Sequence, residues 1–173
     1  MLEYVIEGFL MQCDMSGYDI KQNMNNAKFF NASFGSIYPA LKKMEAEGLI
    51  KSKEIVEGGK YKKIYSLNEA GRDRFLEWLQ KPPDIVKSDD EHLVKMSFYQ
   101  YLPKEKVGEL ISQFIKSVNA LIRRMEVLKS VLGENINEYQ RATLAFVIDY
   151  YRFMKEWYQR FLEEMNGPVN NQR

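Results

Sequence analysis

Gly35-Ser36-Ile37-Tyr38-Pro39-Ala40-Leu41-Lys42-Lys43-Met44-Glu45, followed by Gly48-Leu49-Ile50 and then by Glu57-Gly58-Gly59-Lys60, is the stretch that decides the fold of this 173-residue chain. Ile37, Leu41 and Met44 recur at intervals of four and three, which predicts a helix over about 35–47 with one apolar stripe. Gly48 suits the position just past its end. Pro39 belongs in a first helical turn, where a missing N–H costs nothing, so the regular helix is expected to begin near Ile37 or Tyr38. Leu49 to Val56 and Tyr61 to Leu67 are rich in β-branched and aromatic residues, and Gly58-Gly59 supplies the positive φ of a tight hairpin. A short helix followed at once by a basic hairpin is how a winged helix-turn-helix sets a helix in a DNA major groove and a ribbon on the backbone.

Upstream, Tyr4, Val5, Gly8, Phe9 and Leu10 have helical spacing. Asp14 and Ser16-Gly17 then break the chain and cap a second helix near 16–26, with Tyr18, Ile20 and Met24 as its apolar side. Phe29, Phe30 and Phe34 read as an apolar connector, and Ser33 is placed to cap the third helix. Downstream, Asn68 is expected to cap a fourth helix carrying Ala70, Phe75, Trp78 and Leu79, which Lys81-Pro82-Pro83 stops. Pro82-Pro83 reads as the domain boundary. Beyond it, Ser88-Asp89-Asp90-Glu91 opens a helix expected to reach about Tyr101, and Pro103-Lys104-Glu105 opens another. Val107, Leu110, Ile111, Phe114, Val118, Leu121, Ile122, Met125, Leu128 and Leu132 then alternate steps of three and four until Gly133. Tyr139, Thr143, Phe146, Tyr150, Phe153, Trp157 and Phe161 keep the same rhythm in a last helix.

The expected fold class is mainly α with a small β-wing. Residues 1–81 form a winged helix-turn-helix DNA-binding domain, 85–166 an antiparallel helical dimerisation domain, and 167–173 a disordered tail. The two long helices carry more apolar face than one hairpin covers, which a second copy would cover.

A hydrophobic content of 45% with 13% aromatic residues supports a packed core. Net charge is +1, and acids and bases nearly balance in each half, so any nucleic-acid site is a local cluster. The single cysteine, Cys13, excludes an internal disulfide. No apolar run approaches the ~20 residues needed to span a bilayer, and the N-terminal residues lack a secretory pattern, so a cytoplasmic protein is expected.

The candidate DNA contacts are Ser33, Ser36, Tyr38, Lys42 and Lys43 on the third helix and Lys60, Tyr61, Lys62 and Lys63 in the wing, with Lys51 and Lys53 on the preceding strand. Lysines anchor the phosphate backbone without choosing a sequence. Short hydroxyls near a helix N-terminus reach base edges or phosphates, and Tyr38 can donate to a phosphate. Leu110, Phe114, Val118, Leu121, Phe146, Tyr150, Phe153 and Trp157 are the candidate dimer contacts. Phe98, Tyr99, Tyr151 and Trp157 could line a pocket for a small aromatic effector, although their spacing suits core or dimer packing better. Catalytic chemistry is poorly represented: His92 beside Asp89, Asp90 and Glu91 suits a solvated or capping role, those carboxylates suit the helix dipole, and Cys13 suits packing. No cofactor or metal is implied. A protein-interaction module without specific DNA binding is the competing class.

Ser16-Gly17-Tyr18-Asp19-Ile20, the run Gly35 to Glu45 with Glu47-Gly48-Leu49-Ile50, and Tyr65-Ser66-Leu67-Asn68-Glu69-Ala70-Gly71-Arg72 together resemble the PadR family of bacterial transcriptional regulators. The helices after residue 85 resemble the α-helical C-terminal domain of its virulence-activator-like branch. The resemblance implies a homodimeric winged-helix transcription factor, usually a repressor, whose C-terminal helices make the dimer and which a small molecule loosens from DNA. Two such domains held by a helical dimer are expected to meet successive major grooves of a palindromic operator. Ser36 stands where the family often has threonine, and lysines occupy wing positions where arginine is common. Both changes retain the hydroxyl or the charge.

Overall fold

The structure, a computed structural model, describes residues 1–27, 34–57, 60–84, 90–133 and 135–167. In chain order its elements are α1 (Leu2–Leu10), β1 (Met15–Ser16), α2 (Gly17–Ala27), α3 (Phe34–Ala46), β2 (Ile50–Glu57), β3 (Lys60–Leu67), α4 (Glu69–Leu79), α5 (Glu91–Met96), a 3₁₀ turn (Tyr99–Tyr101), α6 (Lys104–Leu132) and α7 (Glu138–Asn166). The fold is mainly helical with a winged helix-turn-helix, as the sequence predicts. Ser33, Phe29, Phe30, the Gly58-Gly59 turn and residues 168–173 lie outside the described residues.

The first compact unit comprises Met1–Lys81 with Ser88–Tyr101. Its core is the meeting of apolar stripes from α1 to α4: Ile6, Ile20, Met24, Ile37, Leu41, Met44, Phe75 and Leu79 are all 0% exposed. Three antiparallel strands in the order β1-β3-β2 lie against it, with Met15 opposite Tyr65 and Ile50 opposite Leu67. The short β1 is not legible in the sequence, because two residues carry no period and Met15-Ser16 takes its strand form from β3.

Local signals explain several boundaries. Ser16 and Asp19 form a reciprocal cap at the start of α2: Asp19 N donates to Ser16 Oγ, and Ser16 N and Oγ donate to Asp19 Oδ2 at 3.1 and 2.6 Å. Gly48, at φ 72°, closes α3 with bonds from Gly48 N to Glu45 O and from Leu49 N to Met44 O. Asn137 and Gln140 form a capping box on α7.

Four expectations are corrected. The helix α3 begins at Phe34, so Pro39 lies inside it; near the N-terminus it forfeits only the bond to the Gly35 carbonyl, and the buried stripe on the following turns holds the helix. Asn68 occupies the N-cap position of α4 without a side-chain cap. Its amide instead donates to Gly48 O, and its N–H to Leu49 O, tying α4 to the turn after α3. The helix expected to run to Tyr101 stops at Met96 and resumes as a 3₁₀ turn. Packing divides the chain just before Pro82, but the segment expected to form one helical domain over 85–166 is shared between the two units, because α5 and the 3₁₀ turn return to the first.

The reason is visible in what that segment contributes. Phe98 packs edge-on to Phe9 and Phe75, over Gly8, where a Cβ would lie 2.3 Å from its ring. Lys95, with its side chain 1% exposed, donates to Trp78 O and Lys81 O at 2.8 and 2.7 Å, sits 3.3 Å from Glu91, and lies 4.6 Å over the Trp78 ring. Burial draws the Lys95 ammonium below its ordinary range, and these acceptors satisfy its donors while completing the open carbonyl end of α4. Glu91 accepts from Trp78 Nε1, so Glu91 and His92 are buried and not solvated. Cys13 is exposed, against its expected packing role.

In the second unit, α6 and α7 run antiparallel, as Glu126 meets Arg152 at 2.6 Å and Phe114 meets Tyr158 at 5.0 Å between ring centres. Gly133, at φ 49°, ends α6. No helix among the described residues is long and apolar enough to cross a membrane.

Gly8→Ala is expected to destabilise the protein by about 1–3 kcal/mol, because the methyl displaces Phe98 from a filled core; denaturant unfolding measures it.

Candidate nucleic-acid interface

The helix pair α2–α3 and the β2–β3 hairpin carry the candidate contacts. Burial of Ile37, Leu41 and Met44 turns the opposite face of α3 outward. Tyr38 is 48% exposed, Lys42 and Lys43 are exposed, and Ser36 is half-buried. Gly17 sets the angle between α2 and α3, since a Cβ there would lie 2.8 Å from the Tyr38 ring. Beside this face, Tyr18 is 55% exposed, contrary to its expected apolar role, and accepts a bond from Gln22 at 2.8 Å. Tyr61, near the wing tip, is 86% exposed.

Alternation along β3 sends Lys62 and Lys63 to opposite sides of the sheet. Lys62 meets Asp19 of α2 at 3.5 Å, and Lys63 meets Glu45 of α3 at 2.9 Å while lying over the Tyr65 ring. Glu45 also accepts from Ser52 of β2. Lys43 meets Glu3 at 2.8 Å and Glu47 at 3.7 Å. Lys42, Lys51 and Lys53 are exposed and make no ion pair among the described residues. These pairs hold the Glu3 carboxyl below its ordinary range through Lys43, Glu45 through Ser52 and Lys63, and Asp19 chiefly through Ser16.

The acidic partners Glu3, Asp19 and Glu45 were not legible as part of this surface. A capping signal was readable in Ser16-x-x-Asp19, but the pairing with Lys62 depends on how β3 crosses α2.

Behind α3, Arg74 of α4 binds Glu7 through Nε and Nη2 at 2.8 and 2.7 Å and Glu3 through Nη1 at 3.1 Å. Glu7 is fully buried, and its Oε2 has no hydrogen-bond partner among the described residues. Burial outweighs Arg74 and pushes the Glu7 carboxyl up to about 7. Through Glu3 this network joins α1 and α4 to Lys43 on α3.

The expected dimer contacts divide. Leu110, Phe114 and Val118 are buried and Leu121 is half-buried within the single chain, whereas Phe146, Tyr150 and Phe153 are exposed and Trp157 is half-buried, stacked on Phe161. The expected effector residues divide too: Phe98 and Tyr99 are buried in the first unit, while Tyr151 and Trp157 are half-buried in the second. Among the described residues no group of three or more His, Cys, Asp or Glu could hold a metal ion.

Residues 8–77 match the transcriptional regulator PadR-like family, and residues 90–166 match the virulence activator alpha C-terminal family. The chain is similar to the negative transcriptional regulator PadR of Bacillus subtilis (strain 168), 31% identical over 132 residues that span 73% of this chain and 71% of that protein. Among solved structures it is similar to Bacillus subtilis PadR in complex with operator DNA, at 25% identity, 95% and 98% coverage of the two chains and a TM-score of 0.48. It is also similar to Bacillus subtilis PadR in complex with p-coumaric acid, at 23% identity, 96% coverage of each chain and a TM-score of 0.41.

Because Glu7 holds its proton in the folded state up to about pH 7 and loses it near 4.5 when unfolded, folding takes up a proton between those values. Stability therefore falls as pH rises across that window and levels above it. Glu7→Gln is expected to flatten this decline, as thermal melting against pH will read.

Proposed function

The chain belongs to the PadR family of transcriptional regulators, and from that premise we propose that it is a homodimeric repressor that binds a palindromic operator. The observation that carries this reading is the outward face of α3, where Tyr38 and Lys42 are exposed and Lys42 makes no ion pair among the described residues, together with the exposed Tyr61 of the wing. A helix of this kind fits the major groove, with Tyr38 and the lysines positioned for phosphates and Ser36 near bases. The first unit is the DNA-binding part and α6–α7 the dimerising part. A cytoplasmic location follows from this role.

Support for the dimer comes from the distribution of apolar side chains on the helical hairpin. The buried residues of α6 all lie at or before Ile122, while Val127, Leu128 and Val131 of α6 and Tyr139, Phe146, Tyr150 and Phe153 of α7 are exposed. Phe146, Tyr150 and Phe153 follow steps of four and three, which is a seam for another helix. A second copy of the same hairpin presents the matching surface, and two such domains reach successive major grooves about one helical turn apart. The repressor sign is supported by the curated relative, itself a negative regulator. A small aromatic effector is the remaining element, for which Tyr151 and Trp157 are the better-placed candidates, since Phe98 and Tyr99 fill the core of the first unit.

Lys42→Ala is expected to weaken binding to operator and non-operator duplexes alike and to make the slope of log affinity against log salt shallower by about 0.9. Fluorescence anisotropy across a salt series measures both; an unchanged slope removes this face of α3 from the contact. Phe146→Ser with Phe153→Ser is expected to weaken self-association by about 100-fold or more, since each aromatic is buried in both copies of a symmetric interface. Sedimentation velocity reads this directly, and an unaltered dimer would place the interface elsewhere.

A further inference from the structure

On β3, both wing lysines whose side chains are described are already matched by an acid of their own fold, whereas Lys51 and Lys53 of β2 make no ion pair among the described residues. Lys62 pairs with Asp19 at 3.5 Å and Lys63 with Glu45 at 2.9 Å. Neither acid is a loose surface carboxylate. Asp19 Oδ2 accepts from both N and Oγ of Ser16, and Glu45 Oε1 accepts from Ser52 Oγ while its Oε2 faces Lys63. A carboxylate fixed by a hydroxyl has less side-chain freedom left to lose, so its ion pair costs less entropy than an ordinary exposed one. A lysine must leave or share its acid before it neutralises a phosphate, and the acid left beside the phosphates repels them.

We propose that Asp19 and Glu45 are restraining residues of the DNA interface, internal counter-charges that hold Lys62 and Lys63 and so set how strongly the wing is drawn to phosphate irrespective of sequence. This rests on the DNA-binding reading above and deepens it. Phosphate attraction by the wing is thereby attenuated, and tight binding depends more on what α3 meets in the groove. The near-neutral charge of the whole chain, +1, fits a surface whose positive charge is locally balanced.

The test is binding of the full chain to a random-sequence duplex across a salt series, comparing wild type with Asp19→Asn and Glu45→Gln. Asparagine and glutamine keep an oxygen for Ser16 and Ser52, and thermal melting confirms that each variant folds. Each variant is expected to bind about two- to five-fold more tightly at ~0.1 M salt, with a salt slope steeper by up to about 0.9 per released lysine. The gain from Asp19→Asn must vanish when Lys62→Met is added, and that from Glu45→Gln when Lys63→Met is added. Equal or weaker binding by the folded variants overturns the proposal, as does a gain that survives loss of the lysine, which would be plain repulsion. If the wild type binds no duplex even at low salt, the DNA-binding reading itself falls, an outcome distinct from binding that the variants leave unchanged.

Discussion

The buried stripe Ile37-Leu41-Met44 is the constraint from which the rest of the first unit follows. With those three side chains fully enclosed, α3 has one rotational setting, and Tyr38 and Lys42 must face away from the core. Gly17 lets the Tyr38 ring lie across the start of α2, so the two helices keep one angle. The turn at Gly48 then leads into β2, and Asn68 ties the start of α4 back to the same turn. Sheet, helix pair and α4 are thus all referred to α3.

Charge is distributed on this frame with the same economy. The buried Glu7–Arg74 pair and its neighbours Glu3, Lys43 and Glu47 link three helices behind the outward face, and Lys95 closes the open end of α4. The lysines of α3 and the sheet are divided between those held by acids, Lys43, Lys62 and Lys63, and those left to solvent, Lys42, Lys51 and Lys53. A basic count along the sequence treats all of these alike, yet a phosphate meets them at different cost. The helical hairpin shows a comparable division, with its apolar residues enclosed toward one end and exposed toward the other.

Periodic features were legible in the sequence. The stripes of α3, α6 and α7, the Gly48 ending and the hairpin are all repeated or strongly signalled, and the two family matches, over 8–77 and 90–166, cover these segments. Features created by tertiary contact were not. β1 exists because β3 is there to pair with it, Pro39 is tolerated inside α3 because the following turns are buried, and α5 belongs with the first unit because Phe98 fills the space over Gly8. His92, Glu91 and Lys95 carry polar sequence signals that suggest solvent, while the structure uses them inside. At the candidate interface Tyr38 and Lys42 were readable from helix phase, whereas the acids that face the lysines required the fold.

The most direct measurement of the central claim, that a dimer reads an operator, is selection from random duplex DNA by the purified chain at ~150 mM salt, where weak phosphate attraction is largely screened. The account predicts recovery of a two-fold symmetric motif with half-sites about one helical turn apart. Recovery of no enriched motif, or of a single asymmetric half-site bound by a monomer, would contradict it.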